Sequence, residues 1–475
     1  MRVASQGAFG GVTFAGRVFM GFVRGYIGGT MPQKILIIGA GPTGLGAAYR
    51  LHELGYGDWE IHERNSYIGG LSASFKDNKG FTWDIGGHLL YPRYDYVERL
   101  VVQLLGEDCL LHQRSAWIWL LDRWVPYPFQ NNIRHLPKDS VLECLLGLIK
   151  VQGKELPRDN FQEWILSTFG EGIAKHFMLP INRKSWSCPL ELMDKNWIAG
   201  AGSISVVDVE TVLRNVIYDH DERDWGANSQ FKFPLHGGTG GLFNRFMPYV
   251  EERLTLGAEM VEVDVDRNVV RFSDGREASW DFLINTMPLD QFVFRMVPQR
   301  AHLIEAARSL KHTGVLSVGV GIRKLCPSDK CWVYFPEDNC CFYRVTYFSN
   351  YSPNNVPDPQ RYYSLMCETS YSEDKPEHKD EIIEKTIDGL VNTKLIVESD
   401  KNLVETTHVI DADYAYPIPT LERDKALSII QAHLEEKGIF SRGRFGAWKY
   451  EVSSMDQSIM QGVEAVNNIL GMEAR

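Results

Sequence analysis

Gly39, Gly41 and Gly44 form a Gly-x-Gly-x-x-Gly pattern near the start of the chain. In such a pattern the first glycine permits a tight turn, the second lets the backbone approach a pyrophosphate, and the third permits close packing of the following helix. The start of that helix presents free N–H groups, which attract negatively charged phosphates. The spacing therefore predicts a binding site for a dinucleotide.

The elements around these glycines must supply a strand, a turn, a helix and a second strand. Residues 34–38 are a short apolar run, residues 43–54 carry apolar side chains at helical spacing, and residues 59–63 form a second short run. The second run ends in Glu63, whose carboxylate suits the hydroxyls of a ribose. A glycine pattern alone is weak evidence, but this context predicts a βαβ nucleotide-binding unit.

A second glycine pair follows in the sequence Gly69-Gly70-Leu71-Ser72. Such a pair resembles the amine-oxidase-like FAD enzymes more than the NAD dehydrogenases. We therefore expect FAD as the cofactor, with Gly70, Leu71 and Ser72 among its contacts. The eight cysteines show no paired ligand spacing, so the sequence indicates neither a metal site nor a disulfide framework.

Several longer segments carry a more specific resemblance. They are Asp84-Ile85-Gly86-Gly87-His88, Trp124-Val125-Pro126-Tyr127-Pro128-Phe129-Gln130-Asn131-Asn132, Cys331-Trp332-Val333-Tyr334-Phe335-Pro336, Phe342-Tyr343-Arg344, Ala415-Tyr416-Pro417 and Tyr450-Glu451-Val452. In this order, across residues 34–470, they resemble the eukaryotic-type UDP-galactopyranose mutases. So many ordered segments exclude coincidence.

The resemblance assigns a second group of cofactor residues. The segment with Gly86, Gly87 and His88 would lie beside the isoalloxazine ring, because paired glycines let the backbone approach a flat ring. His88 is also a candidate catalytic residue. The segment that closes the flavin site would contribute Gly443, Arg444, Met455 and Ser458.

The resemblance also assigns the substrate residues. Tyr127 and Phe129 would line a uracil pocket and Gln130 would offer its amide to the base edge, since aromatic faces and an amide suit a flat, hydrogen-bonding base. Arg344 would clamp the diphosphate and act in catalysis, a role for which an always-charged planar fork is suited. The other substrate residues expected in this way are Arg114, Met178, Asn182, Trp186, Asn228, Trp332, Tyr334, Tyr351, Tyr416, Tyr450 and Ser454.

The activity implied by the resemblance is an isomerase reaction. Family members interconvert UDP-galactopyranose and UDP-galactofuranose with reduced FAD as the nucleophile, so the chemistry needs no metal and no Ser-His-Asp set. NADPH or NADH is the expected reductant. Two alternatives stay open: a divergent member that acts on another UDP-sugar, and a UDP-sugar-binding protein with reduced or lost turnover.

The alternatives rest on departures from the family pattern. The family carries an essential arginine on a mobile loop shortly after the residue that matches Trp197, but residues 198–204 contain none, and the matching position is Ala201 or Ser203. Ala116 replaces a family serine, and Ser454 and Asp456 lie in a segment that differs from the family around the flavin and sugar. These changes cluster near the expected sugar, whereas the uridine segment is intact.

Composition limits the other functions. The 475 residues carry a formal net charge of −11, which argues against nucleic-acid binding because phosphate neutralisation needs a basic surface. No stretch reaches the apolar length of a membrane span. We expect a soluble, cytoplasmic protein of undetermined oligomeric state, in which residues 1–30 are a leader, a mis-called start or an organellar presequence.

The expected fold class is α/β. A Rossmann-type FAD-binding domain, similar to amine oxidases and glutathione reductase, would combine with a helical substrate domain and an antiparallel β-sheet domain. The expected ranges are 31–130, 229–312 and 405–475 for the FAD domain, 131–228 for the helical domain with its mobile loop, and 313–404 for the sheet domain.

Overall fold

The computed structural model describes residues 33–472 except 202, 203, 205, 207 and 224–228. The predicted leader, residues 1–30, therefore lies outside the described residues. The same holds for Asn228, a predicted substrate residue, and for Ser203, one of the two positions that match the family's loop arginine.

Most strands of the described chain are short, and they are distributed over its whole length. They are β1 (Ile35–Ile38), β2 (Trp59–Glu63), β3 (Ser74–Lys76), β4 (Thr82–Asp84), β5 (Cys109–Gln113), β6 (Ala116–Leu120), β7 (Arg123–Pro126), β8 (Gln230–Pro234), β9 (Leu254–Leu256), β10 (Met260–Asp264), β11 (Val269–Phe272), β12 (Glu277–Ser279), β13 (Phe282–Asn285), β14 (Met296–Val297), β15 (His312–Ile322), β16 (Trp332–Tyr334), β17 (Arg344–Tyr347), β18 (Tyr363–Tyr371), β19 (Val404–Pro417) and β20 (Ile439–Ser441).

The α-helices surround these strands. They are α1 (Pro42–Glu53), α2 (Asp95–Leu105), α3 (Lys138–Val151), α4 (Phe161–Ile173), α5 (Leu179–Trp186), α6 (Trp197–Ala201), α7 (Val209–Ile217), α8 (Gly240–Asn244), α9 (Met247–Val250), α10 (Leu289–Phe294), α11 (Ala301–Arg308), α12 (Ile382–Asn392), α13 (Arg423–Glu436), α14 (Gly443–Gly446) and α15 (Met455–Ile469). Among the described residues, no helix is long and apolar enough to cross a membrane.

A parallel sheet with strand order β20-β13-β1-β2-β9 forms the half that the glycine pattern predicts to bind a dinucleotide. Alternate residues of β1 enter different cores: Ile35 and Ile37 pack on the side of α1 and α15, whereas Leu36 and Ile38 pack on the side of α11 and α13. A strand that is buried on both faces needs a continuous apolar sequence, which explains why 34–38 is apolar throughout.

Helices α1 and α15 pack in close contact because glycines lie at their interface. A Cβ atom on Gly46 would lie 2.5 Å from the carbonyl oxygen of Ile459, and one on Gly462 would lie 2.0 Å from that of Thr43. This contact brings the N-terminal ends of both helices into the region expected to bind the cofactor.

A second sheet has seven strands in the order β19-β15-β18-β17-β16-β6-β7, which are antiparallel except for the β16–β6 pair. It includes β6, β7 and β19, which the expected ranges assigned wholly or almost wholly to the FAD domain. Sheet membership thus crosses those boundaries, because hydrogen bonding between strands is set by long-range pairing that the local sequence does not encode. The division into domains stays a prediction.

The chain between β7 and β8 is mainly helical, as expected. Helices α3 and α4 approach closely at glycines: a Cβ atom on Gly170, whose φ is +69°, would lie 2.2 Å from the carbonyl oxygen of Gly147. A π-helical turn, Ala174–Met178, joins α4 to α5. Buried aromatic residues such as Phe161, Phe169 and Phe177 lie in the core of this helical region.

Another prediction from local sequence is confirmed. The predicted strand–helix–strand unit is β1, α1 and β2. A tight turn at Asp274-Gly275 joins β11 to β12, and Gly275 has a φ of +84°. Strand β13 returns to the parallel sheet, where it pairs with β1.

Candidate active site

The first glycine turn lies between β1 and α1. Gly39 has a φ of +98°, and a Cβ atom on Gly44 would lie 1.9 Å from the carbonyl oxygen of Gly39, so neither position tolerates a side chain. Gly41 precedes the helix, and within the described residues no side chain caps this N-terminus. The first-turn N–H groups of α1 are therefore available to an anion.

The second glycine pair packs against the first turn. Gly70 opens a short turn, Gly70–Ser72, and has a φ of +52°, and a Cβ atom there would lie 3.1 Å from the Cα atom of Gly41. Ser72 is buried, whereas Leu71 packs partly buried against the core on the α13 side. The two glycine turns thus leave a site lined by backbone at the N-terminus of α1.

Glu63 is held beside this turn at the end of β2. Its Oε2 atom accepts a hydrogen bond from the backbone N–H of Ala40 at 2.8 Å, and Oε1 accepts from the N–H and the side-chain amide of Asn65 at 2.9 and 2.7 Å. A carboxylate has about four acceptor sites, so it can still accept a bond from a ribose hydroxyl.

The closing segment reaches the same region from the C-terminal end. Gly443 has a φ of +88°, donates its N–H to Oε1 of Gln461 at 2.8 Å, and has no room for a Cβ atom, which would lie 2.5 Å from Oγ1 of Thr43. Met455 and Ser458 lie buried in the first turn of α15. The two glycine turns, the N-terminus of α1 without a side-chain cap and the Glu63 carboxylate together fit FAD.

The segment predicted to lie at the flavin packs on polar side chains of the large sheet. A Cβ atom on Gly86 would lie 3.1 Å from Oε1 of Glu368, and one on Gly87 would lie 2.8 Å from Oγ1 of Thr346. Nδ1 of His88 lies 3.0 Å from the carbonyl oxygen of Gly86. Burial and the nearby Arg444 lower the pKa of His88 to about 4, so its ring is neutral at pH 7.

Arg344 lies directly against this segment. Its Nε and Nη2 atoms donate to the two carboxylate oxygens of Glu368, the latter at 2.7 Å, and Nη2 also approaches the carbonyl oxygen of Gly87 at 3.4 Å. Glu368 is only 1% exposed. Burial acts to lower the pKa of the Arg344 guanidinium, but Glu368 outweighs it and raises that pKa. The structure thus places a permanent cation next to the expected flavin face.

Tyrosine hydroxyls extend the polar cluster around Arg344. The Tyr343 hydroxyl donates to Oε1 of Glu368 at 3.3 Å and lies 3.1 Å from the Tyr416 hydroxyl. The Arg444 guanidinium lies 5.6 Å from the ring centroid of Tyr416 and 5.9 Å from that of Tyr450. Burial raises the pKa of Tyr450 to about 12, so this hydroxyl stays a hydrogen-bond donor across the neutral range.

Trp186 joins the same group of rings. Its ring centroid lies 4.9 Å from that of Tyr450 and 6.0 Å from that of Tyr416, both in edge-to-face arrangements. Ser454 is the N-cap of α15, where its hydroxyl bonds Asp456 and Gln457, each at 2.6 Å. The structure therefore brings together most of the residues predicted for the diphosphate and sugar.

The segment predicted to bind uridine borders this group. The Tyr127 ring lies 5.3 Å from the Tyr334 ring, and the Arg114 guanidinium lies 5.0 Å from the ring of Trp332 and 5.9 Å from that of Tyr127. Gln130 is 1% exposed. A base near this segment would meet aromatic faces and at least one cation.

Further predicted substrate residues are also buried, and their roles stay predictions. Phe129 is fully buried and stacks on Phe177, with ring centroids 4.8 Å apart. Tyr351 is 1% exposed among the rings of Phe231, Phe233 and Phe348. Met178 is buried, and its carbonyl oxygen accepts the side-chain amide of Asn182 at 2.7 Å.

Sequence reasoning missed Glu368, although a signal exists. It lies in the middle of β18, whose residues 363–370 are all buried. Because a buried carboxylate requires a partner, an acidic residue within a strand of that kind indicates a paired cation. The sequence does not show which arginine supplies it, since Arg344 lies on the neighbouring strand β17.

Comparison with known proteins first identifies the class. Residues 42–470 match the flavin containing amine oxidoreductase family. A cyclohexylamine oxidase from Brevibacterium oxydans shares the fold, with a TM-score of 0.66, 15% identity, and coverage of 93% of this chain and 99% of that one. The zeta-carotene desaturase of Solanum lycopersicum is 35% identical over 78 residues, which are 16% of this chain and 13% of that protein. The fold and site therefore define a flavoenzyme of the amine oxidoreductase type.

A closer relation is found with one solved structure. A reduced UDP-galactopyranose mutase superposes with a TM-score of 0.89 at 39% sequence identity, covering 93% of this chain and 94% of that chain. Within the flavin containing amine oxidoreductases, the chain belongs to the UDP-galactopyranose mutase family.

Proposed function

We propose that the protein is an isomerase that interconverts UDP-galactopyranose and UDP-galactofuranose with FAD as its cofactor. One observation carries the proposal: Nη2 of Arg344 lies 3.4 Å from the carbonyl oxygen of Gly87. The cation predicted for the diphosphate is therefore adjacent to the segment predicted for the flavin, which is the arrangement needed when the bond between sugar and diphosphate breaks over the cofactor.

The residues of the glycine turns would hold the cofactor. The N-terminus of α1 and the turns at Gly41 and Gly70 would bind the pyrophosphate, and Glu63 would bind a ribose. When bound and reduced, FAD would supply a nucleophile for the anomeric carbon. NADPH or NADH is the proposed reductant, on the strength of the eukaryotic-type resemblance.

Arg344 would stabilise the departing diphosphate. Cleavage of the anomeric bond moves negative charge onto the diphosphate, and a fixed cation aimed at that charge lowers the barrier. The bidentate contact with Glu368 holds the guanidinium in place, so little reorganisation is needed during the reaction. The hydroxyls of Tyr416 and Tyr450 are the further donors proposed for the phosphate oxygens.

A direct assay tests the proposed activity. The FAD-loaded protein is reduced with dithionite and incubated with UDP-galactofuranose, and chromatography follows the products. We expect UDP-galactopyranose to accumulate, with no product from the oxidised protein. Binding of UDP without turnover would instead indicate the variant of the family in which turnover has been lost. Conversion of a different UDP-sugar, without conversion of UDP-galactofuranose, would show that the proposed substrate is wrong.

The uridine site is tested by binding. Removal of the Tyr127 ring or of the Gln130 amide should weaken UDP binding to the reduced enzyme by about 1 to 3 kcal/mol each, because a stacked ring or a base-edge hydrogen bond is lost. Calorimetric titration of Tyr127→Ala and Gln130→Ala measures the change. Tyr218→Ala is a matched control, since Tyr218 is 72% exposed. Unchanged affinity in both variants would place the base elsewhere.

A further inference from the structure

Arg423 is a charged residue whose burial the proposed chemistry does not explain. It is 2% exposed and begins α13. Its Nη1 and Nη2 atoms donate to Oε2 and Oε1 of Glu451, both at 2.9 Å. A buried ion pair gains little net stability, because the cost of removing both charges from water offsets their attraction. A role in holding a particular geometry accounts better for the pair.

Glu451 connects the ion pair to the rings of the candidate active site. It follows Tyr450 in the short turn Tyr450–Val452. The Tyr450 ring has its centroid 4.9 Å from that of Trp186 and 5.6 Å from that of Trp197. Since adjacent residues share a rigid peptide unit, fixing the Glu451 side chain restricts the backbone of Tyr450.

Arg423 connects the pair to the segment that precedes α6. Two residues before Arg423, the N–H of Leu421 donates to the carbonyl oxygen of Leu192 at 3.0 Å, and the N–H of Asp194 donates to that of Pro419 at 2.7 Å. Helix α6 then begins at Trp197 and packs against the Tyr450–Val452 turn. Three segments distant in sequence are therefore joined to one another, two of them through the buried ion pair.

We propose that Arg423 and Glu451 are positioning residues for substrate binding, a role that rests on the proposed function. The pair fixes the position of Tyr450 relative to the start of α6. Helix α6 overlaps residues 198–204, the stretch in which the sequence comparison with the family expects a loop arginine. Neither Arg423 nor Glu451 contacts the substrate: they act through Tyr450 and Trp197, and the effect of losing them is misplacement of these rings.

Substitutions that remove the charge or the fork test the proposal. Glu451→Gln keeps the shape of the side chain and removes its charge, and Arg423→Lys keeps a charge and removes the planar fork. We expect both to raise the UDP dissociation constant and the KM for UDP-galactofuranose about tenfold, since small misplacement in a site has large effects. FAD content per chain should not change. UDP binding is measured independently of turnover, so an inert enzyme would count against the proposed activity alone.

A matched control separates positioning from stability. Asp400→Asn breaks the partly buried ion pair with Lys324, in which Nζ lies 3.0 Å from Oδ2, away from the candidate site. It should lower the melting temperature and leave UDP affinity and KM at the wild-type values. If Glu451→Gln and Arg423→Lys behave in the same way, their role is structural and the proposal is overturned.

A double-mutant cycle tests whether the pair acts through Tyr450. In the Tyr450→Ala background, Glu451→Gln should weaken UDP binding by clearly less than tenfold, because one of the two rings that the pair positions is already absent. A full tenfold loss in that background would show that Glu451 acts independently of Tyr450, and would contradict the proposal. If Glu451→Gln does not fold, Glu451→Asp replaces it in the cycle.

Discussion

The dinucleotide cradle and the diphosphate end of the site differ in the groups from which they are built. The cradle uses glycine turns, a helix N-terminus and Glu63, and these lie within one continuous stretch of chain apart from the closing segment. The diphosphate end uses side chains from distant segments, in which Arg344 is paired with Glu368 and the tyrosines bond to one another. The first site is specified mainly by backbone conformation, whereas the second is specified by mutually fixed charges and hydroxyls.

The largest effect is expected from adding a side chain at a glycine of the cradle. Gly44→Val should abolish FAD binding, because a Cβ atom at this position would lie 1.9 Å from the carbonyl oxygen of Gly39 and would force the turn open. The measurement is flavin absorbance per chain after purification and after refolding with FAD. Gly57→Ala is the control, since no atom lies within 4 Å of a Cβ atom there. A yellow Gly44→Val protein would refute the importance assigned to backbone shape.

The next largest effect is expected from removing the cation of the diphosphate end. Arg344→Ala should reduce turnover about 10²- to 10³-fold, because the departing diphosphate loses its cation. The variant should also lose about 3 to 5 kcal/mol of unfolding free energy, since Glu368 is left buried without its charged partner. Steady-state assays and chemical denaturation measure the two losses.

A double variant separates these two losses. Arg344→Met combined with Glu368→Gln removes both charges, so stability should return towards the wild-type value while turnover stays low. If turnover also returned, Arg344 would serve the fold and the diphosphate would lie elsewhere. The diphosphate end would then resemble the cradle, because its charges would serve the fold and not the binding of the diphosphate.

The same contrast explains what the sequence could predict. Gly39, Gly41, Gly44 and Glu63 have local consequences, namely a turn, a helix start and a strand end, so the fold around the cofactor follows from spacing. Glu368 becomes visible only when β17 and β18 are paired, and the Arg423–Glu451 pair only when α13 meets the turn at Tyr450. Partners that are far apart in sequence depend on tertiary packing, which periodicity does not encode.

An intermediate effect is expected from restoring the missing arginine. Ala201→Arg or Ser203→Arg should raise turnover about tenfold or more, since a second cationic donor can recover part of about 2 to 4 kcal/mol of barrier lowering. Ala199→Arg adds the same charge to an exposed position of α6 and should have no such effect. Equal turnover in all variants would show that the diphosphate end is already complete without a loop arginine.

The smallest effect concerns the proton affinity of His88, which lies where the two regions meet. Its pKa is lowered to about 4, first by burial and then by Arg444, whereas an unfolded histidine titrates near 6.5. Between about pH 6.5 and 4 the unfolded chain therefore binds more protons at this position than the folded chain. The contribution of His88 to stability is complete above pH 6.5 and is lost as the pH falls to 4.

This contribution is measured as a difference between variants, because another group acts in the same range with the opposite sign. Burial raises the pKa of Asp84 to about 7, so its contribution falls as the pH rises. Subtracting the unfolding free energy of His88→Gln from that of the wild type removes the contribution of Asp84, which both proteins share. We expect this difference to decrease by about 1 to 2 kcal/mol between pH 6.5 and 4, given that a tenfold change in proton affinity corresponds to about 1.4 kcal/mol and the ring is only partly buried. A difference that is independent of pH would mean that His88 has the same pKa in the folded and the unfolded protein, and that neither burial nor Arg444 acts on its ring.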